Sequence, residues 1–107
     1  MILLIKSIED LNIIKDLATL SFVYFKNDKC SVCDSLMPQI LRLIDSWNEK
    51  FYVVDCYENP DIAAQNLVMT VPALKVFYAG QEVISMIRFV DLAKLQTEYE
   101  RIKNIIA

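Results

Sequence analysis

Lys29-Cys30-Ser31-Val32-Cys33 decides how this chain is read, because it separates two apolar runs of different period. Upstream, Ser21-Phe22-Val23-Tyr24-Phe25 is rich in the β-branched and aromatic residues that suit a buried, pleated strand. Downstream, Leu36, Met37, Ile40, Leu41, Ile44 and Trp47 recur at three- and four-residue steps, as on one face of a helix. The cysteines therefore stand at a strand-to-helix junction, with Cys30 at the helix N-terminus. Unpaired backbone N–H groups and the positive end of the helix dipole favour a thiolate there over a thiol. Two cysteines three apart at a helix start can also reach one another, so the pair can cycle between dithiol and disulfide. The residues alone leave two other readings open: inert helix cysteines, or half of a metal site.

With 107 residues, more than half of them hydrophobic, the chain reads as one domain with a real core. No apolar run approaches the ~20 residues that span a bilayer, so no membrane role is expected. Met1-Ile2-Leu3-Leu4-Ile5 is too short for a signal-peptide core of ~7–15 residues and reads as a first buried strand, which gives a cytoplasmic expectation. The balance of 14 acidic against 11 basic side chains argues against nucleic acid as a partner, which calls for clustered Lys and Arg. The absence of histidine excludes chemistry that needs an imidazole base. Three cysteines make an odd count, unlike the disulfide framework of a small secreted fold.

Along the chain, Ser7-Ile8-Glu9-Asp10 resembles a capping box and opens a helix towards Ala18 that buries Ile8, Leu11, Ile14 and Leu17. A strand at 20–25 and the cysteine helix, to about Asn48, follow. Phe51-Tyr52-Val53-Val54-Asp55 is almost continuously apolar, as in a central strand covered on both faces. Asn59-Pro60-Asp61 gives a helix cap, a proline at the first helical position and an acidic first turn, and that helix covers Ile62, Ala63 and Leu67. Ala73-Leu74-Lys75-Val76-Phe77-Tyr78 reads as a strand, Ala79-Gly80-Gln81 as a hairpin turn, 82–89 as its partner strand, and Asp91 as the cap of a last helix. The order βαβαβαββα, with short helical crossovers first and a tight turn last, implies an α/β fold: a mixed central sheet between helices.

With that order, the C-x-x-C at the second-strand-to-helix junction and Val71-Pro72 before the penultimate strand, the chain resembles the thioredoxin family over its whole length, 1–107. Pro38, five residues after Cys33, Asn59-Pro60 and Gly80 also stand where that family places them. The resemblance implies the thioredoxin fold and a redox-active Cys30-Cys33 disulfide with no other bound cofactor. Cys30 would be the nucleophile and Cys33 the resolving thiol. Pro72 would be the family's cis-proline, and Val71 would offer its N–H and C=O to an extended substrate segment. Disulfide-containing protein substrates and a reductase as electron donor are the implied partners.

The departures from that pattern matter as much. Lys29 stands where the family has tryptophan, and Ser31-Val32 where it has Gly-Pro. Tyr24 replaces a buried aspartate that assists proton transfer at the second cysteine, and Val53 replaces that aspartate's lysine partner. Arg88 aligns with a glycine beside the substrate groove, which suggests a restricted or acidic partner, or else a surface arginine turned to solvent. Lys26 and Lys29 flank Cys30 and favour its thiolate, unless they are plain solvated charges. Cys56 reads as packing, with a regulatory thiol as the alternative, and Trp47 as core or rim. The expected function is thiol–disulfide oxidoreduction of proteins. The alternatives are a binding or scaffold module of the same fold with little turnover, and a metal site shared between two chains. One chain with three cysteines and no histidine cannot offer four Cys or His ligands to zinc.

Overall fold

The odd and even residues of β2 (Ser21–Lys26) belong to different cores, and that alternation sets the architecture. In the computed structural model, which describes residues 2–106, Phe22 and Tyr24 pack on one side of the sheet, and Val23 and Phe25 on the other. β3 (Lys50–Asp55) lies parallel to β2 with Tyr24 opposite Val53, and it splits the same way: Phe51 and Val53 to the first core, Tyr52 and Val54 to the second. Such period-2 division is what a strand covered on both faces requires. β1 (Ile2–Leu4) is parallel to β3, β4 (Ala73–Tyr78) is antiparallel to β2, and β5 (Gln81–Ile87) is antiparallel to β4. The sheet order is β1-β3-β2-β4-β5.

Helix α2 (Ser31–Ser46), through Ile40 and Ile44, and helix α4 (Leu92–Ile106), through Leu95, Tyr99 and Ile102, cover the first face. There Trp47 stacks on Tyr99 with ring centroids 3.9 Å apart. Helices α1 (Ile8–Asp16) and α3 (Pro60–Gln65) cover the second face through Leu11, Ile62 and Ala63. The Ser7 side chain accepts a hydrogen bond from the Asp10 N–H, and Asp91 accepts one from the Lys94 N–H, so both helix starts carry the side-chain cap their sequences suggest. At the β4–β5 turn Ala79 and Gly80 both have positive φ, 49° and 83°, the backbone of a two-residue hairpin that favours glycine. The turn docks on the end of α1, with the Ala79 N–H donating to Leu17 C=O and the Gly80 N–H to Lys15 C=O.

Five expectations are corrected. β1 is an edge strand, exposed at all three residues, and Ile5 beyond it is the buried side chain; Met1 lies outside the described residues. Leu17 is exposed because α1 stops at Asp16 and the backbone turns extended, while Ile8 and Ile14 are only partly buried. Leu67 is exposed because α3 ends at Gln65 and Leu67 adopts φ 57°, so Val68 takes the core position. Asn59 makes no side-chain cap: its amide donates back to Asp55 C=O. The last strand also stops two residues early, at Ile87, because Arg88 leaves the extended region with φ 71°.

Candidate functional site

The C-terminal ends of β2 and β3 are joined at Cys56, whose N–H donates to Lys26 C=O at 2.8 Å, and the chain then turns from β2 into α2. Asn27 shapes that turn: its side chain accepts from the Lys29 N–H and its carbonyl from the Cys30 N–H. Cys30 is the N-cap of α2, and its Sγ accepts from the Cys33 N–H at 3.1 Å. Cys30 and Cys33 are joined in a disulfide with Cα atoms 5.2 Å apart. Their environments differ: Cys33 is fully buried, whereas Cys30 is partly exposed and lines a surface groove. The N–H that reaches the Cys30 sulfur is one of the free donors of a helix start, so it is placed to stabilise a thiolate once the pair is reduced.

Beneath Cys33 lies Tyr24, fully buried, whose hydroxyl donates to Cys33 C=O at 2.8 Å. Burial, with the negative charge of Asp34 second, pushes its phenol up to about 12. It is therefore neutral near pH 7 and cannot take a proton from Cys33. Val53, its partner across β2 and β3, is buried and apolar, so neither position supplies a charge below the disulfide.

The groove beside Cys30, about 400 Å³ in volume, brings together five of the residues expected from sequence: Cys30, Lys29, Val71, Pro72 and Arg88. The Val71–Pro72 peptide bond is cis. Arg88 is fixed there by its N–H, which donates to Pro72 C=O at 2.7 Å. Lys26 is not a groove residue; its ammonium lies 3.8 Å from the Asp28 carboxylate. Nearby, burial raises the pKa of Asp55, but the hydrogen bond from the Glu58 N–H, the interaction with the Asp28 side chain and the hydrogen bond from the Tyr57 N–H, with Lys26 as a weaker aid, outweigh it and leave the carboxyl below its usual range. Cys56 is partly buried, and burial followed by the Asp55 charge pushes its thiol up to about 11. Trp47 sits at the far end of α2, against Phe22 and Tyr99, and takes no part in the groove.

Sequence reasoning did not place three further residues in the groove, Ser31, Val32 and Phe89, the last two 59% and 79% exposed. A large apolar side chain directly after Arg88 was the available signal; it read instead as the end of a strand. Among the described residues no group of three or more His, Cys, Asp or Glu is placed to hold a metal ion, and no helix is long and apolar enough to cross a membrane.

A mixed five-stranded sheet between helices, with a C-x-x-C disulfide at the start of α2 facing a cis-proline loop, defines a protein of the thioredoxin fold. The chain belongs to the thioredoxin family, whose sequence model, described as Thioredoxin, matches residues 7–101. The thioredoxin-like protein YdfQ of Bacillus subtilis (strain 168) is 30% identical over 86 residues, 79% of this chain and 77% of that protein. Thioredoxin 1 of Thermosipho africanus is 34% identical with a TM-score of 0.74, covering 79% of this chain and 96% of that one. A thioredoxin from Trypanosoma brucei brucei shares the fold most fully of these, with a TM-score of 0.89 over 97% of this chain and 92% of its own, at 17% identity. Family and disulfide together support thiol–disulfide oxidoreductase chemistry in general.

Proposed function

We propose that this protein reduces protein disulfides, with Cys30 as the attacking and Cys33 as the resolving thiol. The observation that carries the proposal is the unequal exposure of the two sulfurs: one opens on a groove at a helix N-terminus, and the other is buried behind it. In the dithiol form the Cys30 thiolate attacks one sulfur of a substrate disulfide. The substrate S–S bond breaks, a new Cys30–substrate S–S bond forms, and the other substrate sulfur leaves as a thiolate that takes up a proton. Cys33 then loses its proton and attacks Cys30 Sγ, re-forming the intramolecular disulfide and releasing the second substrate thiol. Two electrons pass from the cysteine pair to the substrate, and a reductase partner returns two. Val71 supports the docking of an extended substrate segment, since among the described residues no hydrogen bond engages its N–H or C=O. The setting we assign is the cytoplasm, with no membrane or nucleic-acid role and no cofactor besides the disulfide.

The experiment is trapping in a cell extract. Cys33→Ser accumulates mixed disulfides with protein partners, and Cys30→Ser does not; equal trapping by both variants overturns the roles. A second reading, a binding module of the same fold with little turnover, is favoured by one observation: Tyr24 leaves Cys33 without a carboxylate to accept its proton. Trapped complexes that are never released by wild type would favour that reading.

A further inference from the structure

We infer that the groove beside Cys30 selects disulfides flanked by an acidic residue, an inference that rests on the oxidoreductase reading. The chain carries a formal net charge of −3, yet both charged side chains lining this groove, Lys29 and Arg88, are cations. Among the described residues neither makes an ion pair. Arg88 is held in place by three features: a left-handed backbone with φ 71°, the N–H bond to Pro72 C=O, and a guanidinium 5.8 Å from the Phe89 ring centroid. Non-glycine residues rarely adopt such a backbone, so an arginine kept there presents its side chain from a fixed base rather than a free loop.

An extended segment pairing with the unused Val71 backbone would turn alternate side chains towards the protein. A carboxylate two residues from the substrate cysteine shares its face and then meets Arg88 and Lys29. The exposed Phe89 ring screens one flank from water and offers an apolar contact to the next residue. A cation at that position meets like charge instead. The groove thus adds a charge filter to a backbone contact that is itself indifferent to sequence.

The test uses peptides that carry one cysteine in a mixed disulfide with a neutral thiol and differ only in Glu, Gln or Lys two residues from that cysteine. The reduced protein's Cys30 attacks the peptide sulfur and the neutral thiol leaves; its release gives a second-order rate constant. At low salt the Glu peptide reacts about two- to fivefold faster than the Gln peptide, the range of partly exposed ion pairs, and the Lys peptide slowest. Raising the salt narrows the spread. Arg88→Gln moves the Glu/Gln ratio towards one, while Arg88→Lys keeps it above one. A wild-type ratio of one at low salt overturns the inference, as does a ratio undiminished in folded Arg88→Gln. Neutral 2-hydroxyethyl disulfide separates the two failures: reduced without any Glu preference, the charge filter alone falls; not reduced along with all peptides, the oxidoreductase reading falls and takes the filter with it.

Discussion

Replacing Tyr24 by phenylalanine removes one oxygen and leaves the core shape intact, which isolates what the hydroxyl does. Its hydrogen bond to Cys33 C=O, 2.8 Å long, is buried. A bond of this kind contributes about 1 kcal/mol net, which is roughly 4–8 °C in Tm for a domain of this size. The catalytic effect should be small for a separate reason. With the phenol at about 12, only about one molecule in 10⁵ carries phenolate at pH 7, so the group is no base for Cys33. Buried thiols have raised pKa values because desolvation disfavours the thiolate. Attack by Cys33 on the mixed disulfide, rather than attack by Cys30 on substrate, should therefore limit turnover. Tyr24→Phe leaves that resolving step within about twofold. Tyr24→Asp restores a carboxylate and speeds it, by about 10² or more if the carboxylate acts as a general base. The aspartate variant also loses a buried ring, at about 3–5 kcal/mol, so its folding must be checked by circular dichroism. Stopped-flow release of a chromogenic thiol reads the first attack, and acid-quenched mass spectrometry reads resolution. A tenfold slower resolution in folded Tyr24→Phe, or wild-type resolution as fast as attack, refutes the reasoning.

Three further outcomes follow from the same geometry. Helix-terminal placement should hold reduced Cys30 below the free value of ~8.5, so its alkylation rate against pH has a midpoint under that value; a midpoint at or above it removes the helix N-terminus as the source of reactivity. Cys56, with its thiol pushed up to about 11, should alkylate far more slowly than Cys30 at pH 8 in reduced native protein, as peptide mapping would record. Both Cys56 and Tyr24 hold their protons more tightly folded than unfolded, so their contribution to stability is intact below ~8.5 and ~10 respectively and is lost as pH rises through about 11 and about 12. For Tyr24 that loss amounts to roughly 2–3 kcal/mol, and denaturant unfolding between pH 9 and 12 should show a shallower decline in Tyr24→Phe than in wild type.

Local signals carried most of the fold. The alternation in 21–25 and 51–55 sufficed to place buried central strands, and Ser7, Asp91 and Gly80 mark boundaries through hydrogen bonds or dihedrals that one residue determines. The errors fall where burial depends on distant partners. Ile2, Leu3 and Leu4 are as apolar as any core strand, but nothing in their sequence says that β1 occupies an edge. Leu17 and Leu67 continue the helical period of their neighbours, yet the helices stop first, and a register without a helix predicts no burial. At the site, the C-x-x-C pair and the residues around Val71, Pro72 and Arg88 were legible through the family pattern. The hydrogen bond from Tyr24 to Cys33 and the exposure of Phe89 were not, because each depends on how a strand end meets the start of α2 or the solvent.

Insulin reduction tests the proposal most directly. Purified protein, kept reduced by dithiothreitol, is added to insulin and turbidity is followed as the freed B chain precipitates. Wild type should accelerate precipitation over dithiothreitol alone, and Cys30→Ser should match the dithiothreitol blank. A wild-type rate equal to that blank, with the Cys30–Cys33 pair verified as reduced and the protein folded, would contradict a disulfide reductase.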